Sequence, residues 1–497
     1  MSIDPRTPVI IGVSQINQKT NDLHEALGPI ALLSQAVRLA ADDTHAAQDP
    51  LDRIDALRTI QFLSARLRNP SLAIAESLGV TARSYGLTPM GGNSPQTQIN
   101  IACQEITTGQ IDLVVLAGGE AMRTRRKARK QNVDLHWPTQ GDNTPEPATV
   151  GYEFVMNHPY EIALGLVMPV QFYPMFEQSL RVAAGETVEE HQVKISELWE
   201  GFAKVAATNP YAAVRHSPTA LDIRTAGPGN RMIGFPYPKM MNANMDVDQA
   251  AATIICSAKT AQALGVPQDR WVFPWVGTDA HEAPFVSNRL NFAESPAIRL
   301  AGRSALDMAG VDVEELAFLD LYSCFPSAVQ LACKELSIDT KRQLTVTGGL
   351  PFAGGPFNSY VMHGINSMVD VLRSEGTGKP GMVWANGGYV TKHAFGIYAT
   401  EPSVAGTYRH DNPQAEIDAL PTRELAENYE GACIIETYTV MHDRDGNPET
   451  FIAACRTPGE ARAWGISRDS DLAQHAVNTD LMGDACRLES DGTITVD

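Results

Sequence analysis

Up to residue 400, short runs of β-branched and other apolar residues alternate with stretches whose apolar positions recur every three to four residues. The alternation of these two periods predicts strands whose faces are covered by helices, which is an α/β fold. The first set of predicted elements comprises a helix at 31–41, a strand-like run at 52–60, a helix at 96–107, and a strand at 113–117 that ends in Gly118-Gly119.

The same order of elements returns later in the chain. The second set comprises a helix at 304–309, a run at 313–321, a glycine-rich turn at 354–358, a helix at 361–373, and a strand at 381–385 that ends in Gly387-Gly388. The parallel lies in the order of the elements, with little residue identity. We therefore predict a duplicated core with halves at 1–255 and 256–400. A folded excursion at about 121–250 is inserted in the first half, because this stretch is too long for a loop.

The chain after Glu401 has a different character. Counted from Glu401 itself, it holds nineteen acidic residues, seven arginines and no lysine, so it carries −12 of the total formal charge of −19. Such a shift in charge marks a domain boundary. Strand-like runs at 432–440 and 450–454, separated by a turn sequence, predict a small β-rich domain at 409–497.

Composition excludes several classes of protein. The chain has 497 residues, 43% of them hydrophobic, and its acidity argues against nucleic-acid binding, which depends on Lys and Arg at phosphates. No apolar run approaches the length of a membrane span, and the first residues do not resemble a signal peptide. Seven cysteines without a C-x-x-C pair indicate reduced thiols, so we expect a cytoplasmic protein with no metal site.

The two predicted halves place glycine-rich turns at the starts of two related helices. Free backbone N–H groups and the helix dipole favour negative charge at such positions, which suits oxyanion chemistry on a carbonyl. An alternative interpretation is that each glycine pair only permits a tight turn.

Three segments of the chain resemble the thiolase superfamily. Gly91-Gly92-Asn93-Ser94-Pro95, followed by a helix, a strand and Gly118-Gly119-Glu120-Ala121-Met122, is similar to the thiolase segment that opens with the nucleophilic cysteine. Leu321-Tyr322-Ser323-Cys324-Phe325 is similar to the His-Asp-Cys-Phe box of sterol-carrier-type thiolases. Gly348-Gly349-Leu350 with Gly354-Gly355-Pro356 is similar to the segment that contains Gly-His-Pro.

The resemblance covers about residues 6–400, and the whole chain looks most like the thiolase-like proteins of type 1, which carry an additional C-terminal domain. It implies a duplicated αβαβα layered core with an inserted loop domain and a small C-terminal β-rich domain. It also implies binding of coenzyme A thioesters as substrate or ligand, in lipid metabolism, with no tightly bound cofactor. Thiolases are usually dimers or tetramers, but the type 1 proteins are associated with monomers, so we favour a monomer and keep the dimer as an alternative.

The chain departs from the thiolase pattern at the catalytic positions. Gly92 stands where the resemblance places the acyl-accepting cysteine, Tyr322 replaces the histidine of the second box, and Gly355 replaces the histidine of Gly-His-Pro. The segment at 384–393 offers no cysteine where a thiolase keeps its second thiol, and Cys103 is expected inside a helix. Thiolysis needs a thiolate and a proton acceptor, and neither is in its usual place.

Other side chains are candidates for the missing roles. Tyr322 is a possible proton donor, and Cys324 is a possible relocated nucleophile if a cation lowers the pKa of its thiol. His393 and His363 are possible acid/base groups, although each is also interpretable as an ordinary core histidine. Asn386 and Ser94 are possible donors to a thioester oxygen. Tyr322 could instead simply pack with its hydroxyl satisfied.

A group of cations begins the insertion. Arg123, Arg126 and their basic neighbours are either a solvated helix face or a site for the phosphates of coenzyme A. Lys239 and the residues after it are predicted to line the same channel, with a helix beginning at Asp248 and returning to the core. The candidate substrate- or CoA-binding residues are Gly92, Gly355, Gly387, Gly388, Arg123, Arg126 and Lys239.

These observations support two classes of function. The first is an acyltransferase-type enzyme, or an enzyme of C–C bond chemistry, that acts on an acyl-CoA without the usual cysteine. One form of it resembles the thiolase-like retro-aldolases that use tyrosine and work with a small β-domain partner; the domain after Glu401 would then cover the site in cis. The second class is a non-catalytic acyl-CoA binding protein.

Overall fold

The computed structural model describes residues 3–376 and 378–496. Its strands in chain order are β1 Pro8–Asn17, β2 Ala56–Thr59, β3 Ser84–Leu87, β4 Leu113–Ala121, β5 Ala148–Thr149, β6 Met232–Gly234, β7 Tyr237–Pro238, β8 Asp248–Ser257, β9 Phe273–His281, β10 Phe318–Leu321, β11 Gly381–Gly387, β12 Lys392–Ala399, β13 Arg409–Asp411, β14 Gly431–His442, β15 Pro448–Arg456, β16 Arg462–Ser467, β17 Ala485–Leu488 and β18 Ile494–Val496.

The helices that connect and cover these strands are α1 Pro29–Asp43, α2 Pro70–Leu78, α3 Ser94–Thr108, α4 Met122–Gln131, α5 Pro159–Ala163, α6 Pro169–Ala183, α7 Val188–Thr208, α8 Ala220–Arg224, α9 Ala258–Leu264, α10 Pro296–Ala309, α11 Pro326–Leu336, α12 Gly349–Phe352, α13 Tyr360–Glu375, α14 Gln414–Asp418 and α15 Ser470–Asn478. No helix within the described ranges is long and apolar enough to cross a membrane.

Two sheets share one topology. The first has the order β1-β8-β4-β2-β3-β5, and the second has the order β10-β11-β12-β9-β13. In the first sheet, β1 and β8 pair antiparallel, β8 and β4 pair antiparallel, and β4 and β2 pair parallel. The second sheet repeats this order, with β9 and β12 antiparallel, β12 and β11 antiparallel, and β11 and β10 parallel. The predicted duplication is therefore present as matched strand order.

The sheets and helices form layers in the order helix, sheet, helix, sheet, helix. Helices α1 and α2 cover the outer face of the first sheet, and α10 covers the second, with α11 packed against α10. Helices α3 and α13 lie between the two sheets and contact both. This arrangement places the first residues of α3 at the centre of the molecule, and it confirms the predicted αβαβα core.

One predicted element was wrong. The residues that begin at Asp248 form the strand β8, which pairs with β1 and β4, and not a helix. Every residue of β8 is buried, so its small and β-branched residues show no alternation of polar and apolar positions. A central strand covered on both faces often lacks this period, and periodicity alone then confuses it with a buried helix.

The C-terminal domain is joined to the insertion through a shared sheet. Strands β14–β18 form a sheet with the order β16-β15-β14-β17-β18, and β6 of the insertion pairs with β14. Helix α6 of the insertion also packs on β14, where the Thr437 hydroxyl donates to the Met175 carbonyl at 2.8 Å. The β-rich tail predicted from sequence is present, and it is built onto the insertion.

Arg462 anchors this domain to the second half of the core. Its side chain is fully buried and binds the Glu436 carboxylate through two hydrogen bonds of 2.9 and 2.7 Å. A third guanidinium nitrogen donates to the backbone carbonyls of Val286, Ser287 and Arg289. Since these carbonyls belong to the segment that follows β9, one arginine holds the C-terminal sheet and the core together.

We expect Arg462→Met to destabilise the protein by about 3–5 kcal/mol, because it leaves the Glu436 carboxylate and three carbonyls without their donor. Thermal and urea unfolding measure this loss. The control is Arg468→Met, an exposed arginine of the same domain, which should change stability by less than about 0.5 kcal/mol. Equal stability of the two variants would contradict the assigned role.

Candidate active site

The glycine turns of the two halves meet at the centre of the molecule. Gly91 and Gly92 precede α3, and Gly387 ends β11. A Cβ atom added to Gly387 would lie 3.2 Å from the Gly92 backbone nitrogen. A Cβ atom added to Gly92 would lie 2.4 Å from both the Asn386 carbonyl oxygen and the Tyr322 Oη atom. The turns approach so closely because neither carries a side chain here.

The Tyr322 phenol occupies the space that a side chain at position 92 would need. Tyr322 follows β10 directly, is 8% exposed, and packs edge-on against Tyr360 with ring centroids 5.6 Å apart. No described residue makes a hydrogen bond with its hydroxyl. Burial, followed by the neighbouring Cys324 thiol, raises the pKa of this phenol well above its usual value. The group is therefore a proton donor and a poor base.

Cys324 lies close to this hydroxyl but is not an activated thiol. It is 7% exposed, and burial raises the pKa of the Cys324 thiol to about 12. The nearest polar groups are the Tyr173 hydroxyl and the Asn386 side-chain nitrogen, which is 4.0 Å from the sulfur. A nucleophilic cysteine needs a thiolate, and these surroundings favour the neutral thiol.

Tyr173, on α6 of the insertion, is a site residue that the sequence analysis did not single out. Its hydroxyl donates to the Gly388 carbonyl at 3.0 Å and accepts hydrogen bonds from the Asn386 side chain at 2.8 Å and the Val390 backbone at 3.1 Å. Its ring stacks on Phe325 at 4.4 Å. Only the cluster of aromatic residues at 172–176 signals it in the sequence. Tyr173 ties the insertion to the turn after β11.

Asn386 and His393 lie directly opposite each other on β11 and β12, so their side chains share one face of the sheet. Asn386 Oδ1 and both ring nitrogens of His393 are buried and make no hydrogen bond of normal geometry within the described chain. Burial, with the charge of Arg289, lowers the pKa of His393, so its imidazole is neutral at pH 7. Polar atoms that are buried without partners are rare in cores and indicate a place for a ligand.

Three further residues predicted for the site have contacts that do not include Tyr322, Asn386 or His393; they are His363, Ser94 and Gly355. His363 Nδ1 is 2.9 Å from Gln15 Oε1 of β1, and burial lowers the pKa of its imidazole to about 4. The Ser94 hydroxyl donates to the Pro89 carbonyl at 3.2 Å. A Cβ atom at Gly355 would have ordinary contacts, the nearest at 3.4 Å, so this position has room for a side chain.

The predicted cations lie in two different clefts. Arg123 lines a cleft of about 290 Å³ and donates to the Asn21 side chain, and Arg126 forms an ion pair with Asp246, another residue of that cleft, at 3.2 Å. Lys239 is exposed and lines a separate cleft of about 830 Å³ with Arg231, between the insertion and the C-terminal domain. The structure thus brings Arg123 and Arg126 together and leaves Lys239 apart. Among the residues that the structure describes, no group of three or more His, Cys, Asp and Glu side chains is arranged to hold a metal ion.

Comparison with known proteins gives relatives for the whole chain. Residues 413–493 match a family model described as the additional C-terminal domain of thiolase-like protein type 1. The crystal structure of a monomeric SCP2-thiolase-like protein type 1 from Mycobacterium smegmatis is 30% identical, with a TM-score of 0.84 and an alignment that covers 100% of both chains. No curated protein sequence matches the chain.

Two more distant structures share the fold. The Ltp2–ChsH2(DUF35) aldolase is 17% identical, with a TM-score of 0.59 over 80% of this chain and 99% of that chain. The acetyl-CoA acetyltransferase from Syntrophomonas wolfei is 16% identical, with a TM-score of 0.55 over 80% of this chain and 100% of that chain. At these identities the likeness shows the αβαβα fold alone, over four fifths of this chain.

We expect Gly92→Ala to destabilise the protein by about 1–3 kcal/mol, because the new methyl group meets a backbone carbonyl and the Tyr322 hydroxyl. Urea unfolding measures the change. Gly201→Ala is the matched control, since its Cβ atom meets nothing within 4 Å on the exposed face of α7 and should stabilise by up to about 1 kcal/mol. An unchanged stability of Gly92→Ala would mean that the two turns are not in contact.

Proposed function

This chain belongs to the thiolase superfamily as a thiolase-like protein of type 1, and on that premise we propose that it binds acyl-CoA thioesters and promotes enolate chemistry at their α-carbon without an acyl-enzyme intermediate. The single observation that carries the proposal is the contact between Gly92 and the Tyr322 hydroxyl. A nucleophilic cysteine at position 92 and a tyrosine at position 322 would occupy the same space. This chain has tyrosine at position 322 and glycine, not cysteine, at position 92.

The turn before α3 supplies the donors for a thioester oxygen. No described residue accepts a hydrogen bond from the backbone N–H groups of Gly92 and Asn93, and both residues are buried at the start of a helix. Backbone donors fixed in this way stabilise negative charge as it develops and need no rearrangement. In the proposed reaction, the electrons of a breaking C–C bond move to the α-carbon and the thioester oxygen of the enolate.

Two side chains are assigned to the protons. Tyr322 donates its hydroxyl proton to the α-carbon as the enolate collapses, and burial keeps this hydroxyl protonated at pH 7 because it raises the pKa of the phenol. His393, which is neutral, takes the proton from the substrate hydroxyl as that oxygen becomes a carbonyl, and after product release this proton returns through solvent to the Tyr322 phenolate, which restores both groups. The aldolase of the same fold indicates that this class of reaction is compatible with the scaffold. An acyltransferase reaction through Cys324 is less well supported, because its thiol pKa is about 12.

The phosphates of coenzyme A are proposed to bind near α4. This helix carries six basic residues in an acidic protein, and Arg123 lines a cleft there. Lys239 lies in the other cleft and is not assigned to the phosphates.

We also propose that the protein is a monomer. Strand β3 would be an open edge of the first sheet, but β5 of the insertion pairs with it through Gly86 and Leu87. The new edge strand β5 is only two residues long and offers little backbone for pairing with a second copy. The monomeric relative from Mycobacterium smegmatis agrees with this proposal.

We expect Tyr322→Phe to lower the rate of cleavage of a β-hydroxyacyl-CoA, with deuterium from D₂O entering the α-carbon of the product, by about 10²- to 10⁴-fold, the range for loss of a general acid or base. Tyr429→Phe, in the C-terminal domain, is the control and should keep the rate. Equal cleavage rates for Tyr322→Phe and the unaltered protein would remove the hydroxyl from the mechanism. Binding of the acyl-CoA with no cleavage by either would indicate a non-catalytic binding protein.

Intact mass after incubation with acetyl-CoA and with a longer acyl-CoA tests for a covalent intermediate. We expect no stable adduct, because no thiolate is available at the site. A stable acyl adduct mapped to Cys324 or Ser94 would overturn the proposed mechanism and establish an acyltransferase with a relocated nucleophile.

A mass determination by light scattering tests the oligomeric state. We expect 53.8 kDa, the mass of one chain, at every concentration measured. A species of twice this mass would show that a surface other than the paired β3 edge forms a dimer.

A further inference from the structure

A buried lysine lies between the two glycine turns. Lys392 begins β12, is 2% exposed, and donates a hydrogen bond from its Nζ atom to the Met90 carbonyl at 2.5 Å. A Cβ atom at Gly91 would lie 2.5 Å from Nζ, and one at Gly387 would lie 3.1 Å from Cε. The lysine side chain thus takes the space that both glycines leave open.

The Lys392 amine has N–H donors that are not used in hydrogen bonds with the described residues. Met90 uses one of its N–H donors, and no other described residue accepts from it. The nearby Asn93 Oδ1 atom is buried and has no partner. Both this oxygen and Lys392 Nζ lie within 2.5 Å of the point where a Gly91 Cβ atom would stand. A buried donor and a buried acceptor therefore remain side by side at the start of α3.

Among the described residues, no carboxylate forms an ion pair with Lys392. The opposite strand β9 places His281 across from it and Asp279 two residues away on the same face. The Asp279 carboxylate is already bound by Thr97, Asn100 and His410. Burial alone lowers the pKa of the Lys392 amine to about 8. An ammonium group without a counter-ion gains stability when a negative charge forms near it.

We propose that Lys392 is a positioning residue that holds a positive charge behind the Gly92 and Asn93 donors and strengthens their stabilisation of a substrate enolate. The inference rests on the proposed function, because it needs an anion at this turn. The effect is complete while the amine is charged; as the pH rises through the pKa of the amine in the complex, the charge is lost, and the effect is lost with it.

The enolate of acetoacetyl-CoA is a direct probe, because it absorbs ultraviolet light and its ketone form does not. The enolate fraction of bound acetoacetyl-CoA is titrated against pH with the unaltered protein, Lys392→Met, Lys392→Arg, and the exposed-lysine control Lys259→Met. We expect Lys392→Met to lower the enolate-to-ketone ratio at pH 7 by about tenfold, equivalent to one pKa unit of the bound ligand. Lys392→Arg should retain the ratio and show no loss above pH 8, since arginine stays charged.

A ¹³C titration of the lysine Cε signals gives a second readout that needs no variant to function. The chain has eleven lysines, and the signal missing from Lys392→Met identifies residue 392. We expect a pKa near 8 that rises when acetoacetyl-CoA binds. An ordinary pKa that does not change on binding would overturn the inference even if the variants fold poorly.

The outcomes separate this inference from the proposed function. Equal enolate fractions for Lys392→Met and the unaltered protein, or equal losses in Lys392→Met and Lys392→Arg with both folded, would overturn the role of the charge and leave the proposed function intact. An enolate fraction that no protein raises above that of free acetoacetyl-CoA would overturn the proposed function itself, and the lysine inference with it.

Discussion

The close approach of two backbone turns governs the centre of this molecule. Gly92 and Gly387 come from different halves of a duplicated fold, and their backbones touch because neither position carries a side chain. That contact fixes where α3 begins relative to the end of β11. It also leaves a space on each side, which Tyr322 fills on one side and Lys392 on the other. The chemistry open to the protein follows from which side chains fill these spaces.

Hydrogen bonds and packing connect the additional C-terminal domain to these central turns. Arg462 binds the carbonyls that follow β9, among them that of Arg289. The Arg289 side chain in turn donates to the Tyr389 carbonyl and the Thr391 hydroxyl, on the turn between β11 and β12. A second connection runs from β14 through α6 to Tyr173 and the Gly388 carbonyl. The domain therefore packs on the insertion and also helps to hold the turn between β11 and β12 in place through chains of buried hydrogen bonds.

Much of the fold could be predicted from sequence, because the period of the apolar residues and the repeated element order survive where residue identity is lost. The strand at Leu113–Ala121 and the helix at Tyr360–Glu375 were both predicted within a few residues of their bounds. Prediction failed at Asp248–Ser257, since full burial removes the alternation that distinguishes a strand. In the sequence, glycine at position 92 and tyrosine at position 322 are two separate departures from the thiolase pattern. The structure shows that they are linked, because the Tyr322 hydroxyl fills the space that a side chain at position 92 would need. Tyr173 and Lys392 could not be found, because each is brought to the site by a contact far away in sequence.

The strand shared between the insertion and the C-terminal domain has a consequence for biosynthesis. Strand β6 pairs with β14 about 200 residues later, so the insertion leaves the ribosome long before the strand that completes its sheet. Until β14 arrives, the backbone edge of β6 and the apolar face of α6 are exposed to water and to neighbouring chains. Such long-range pairing slows folding. The nascent chain thus carries two uncovered surfaces of the insertion until the strand β14 has been synthesised.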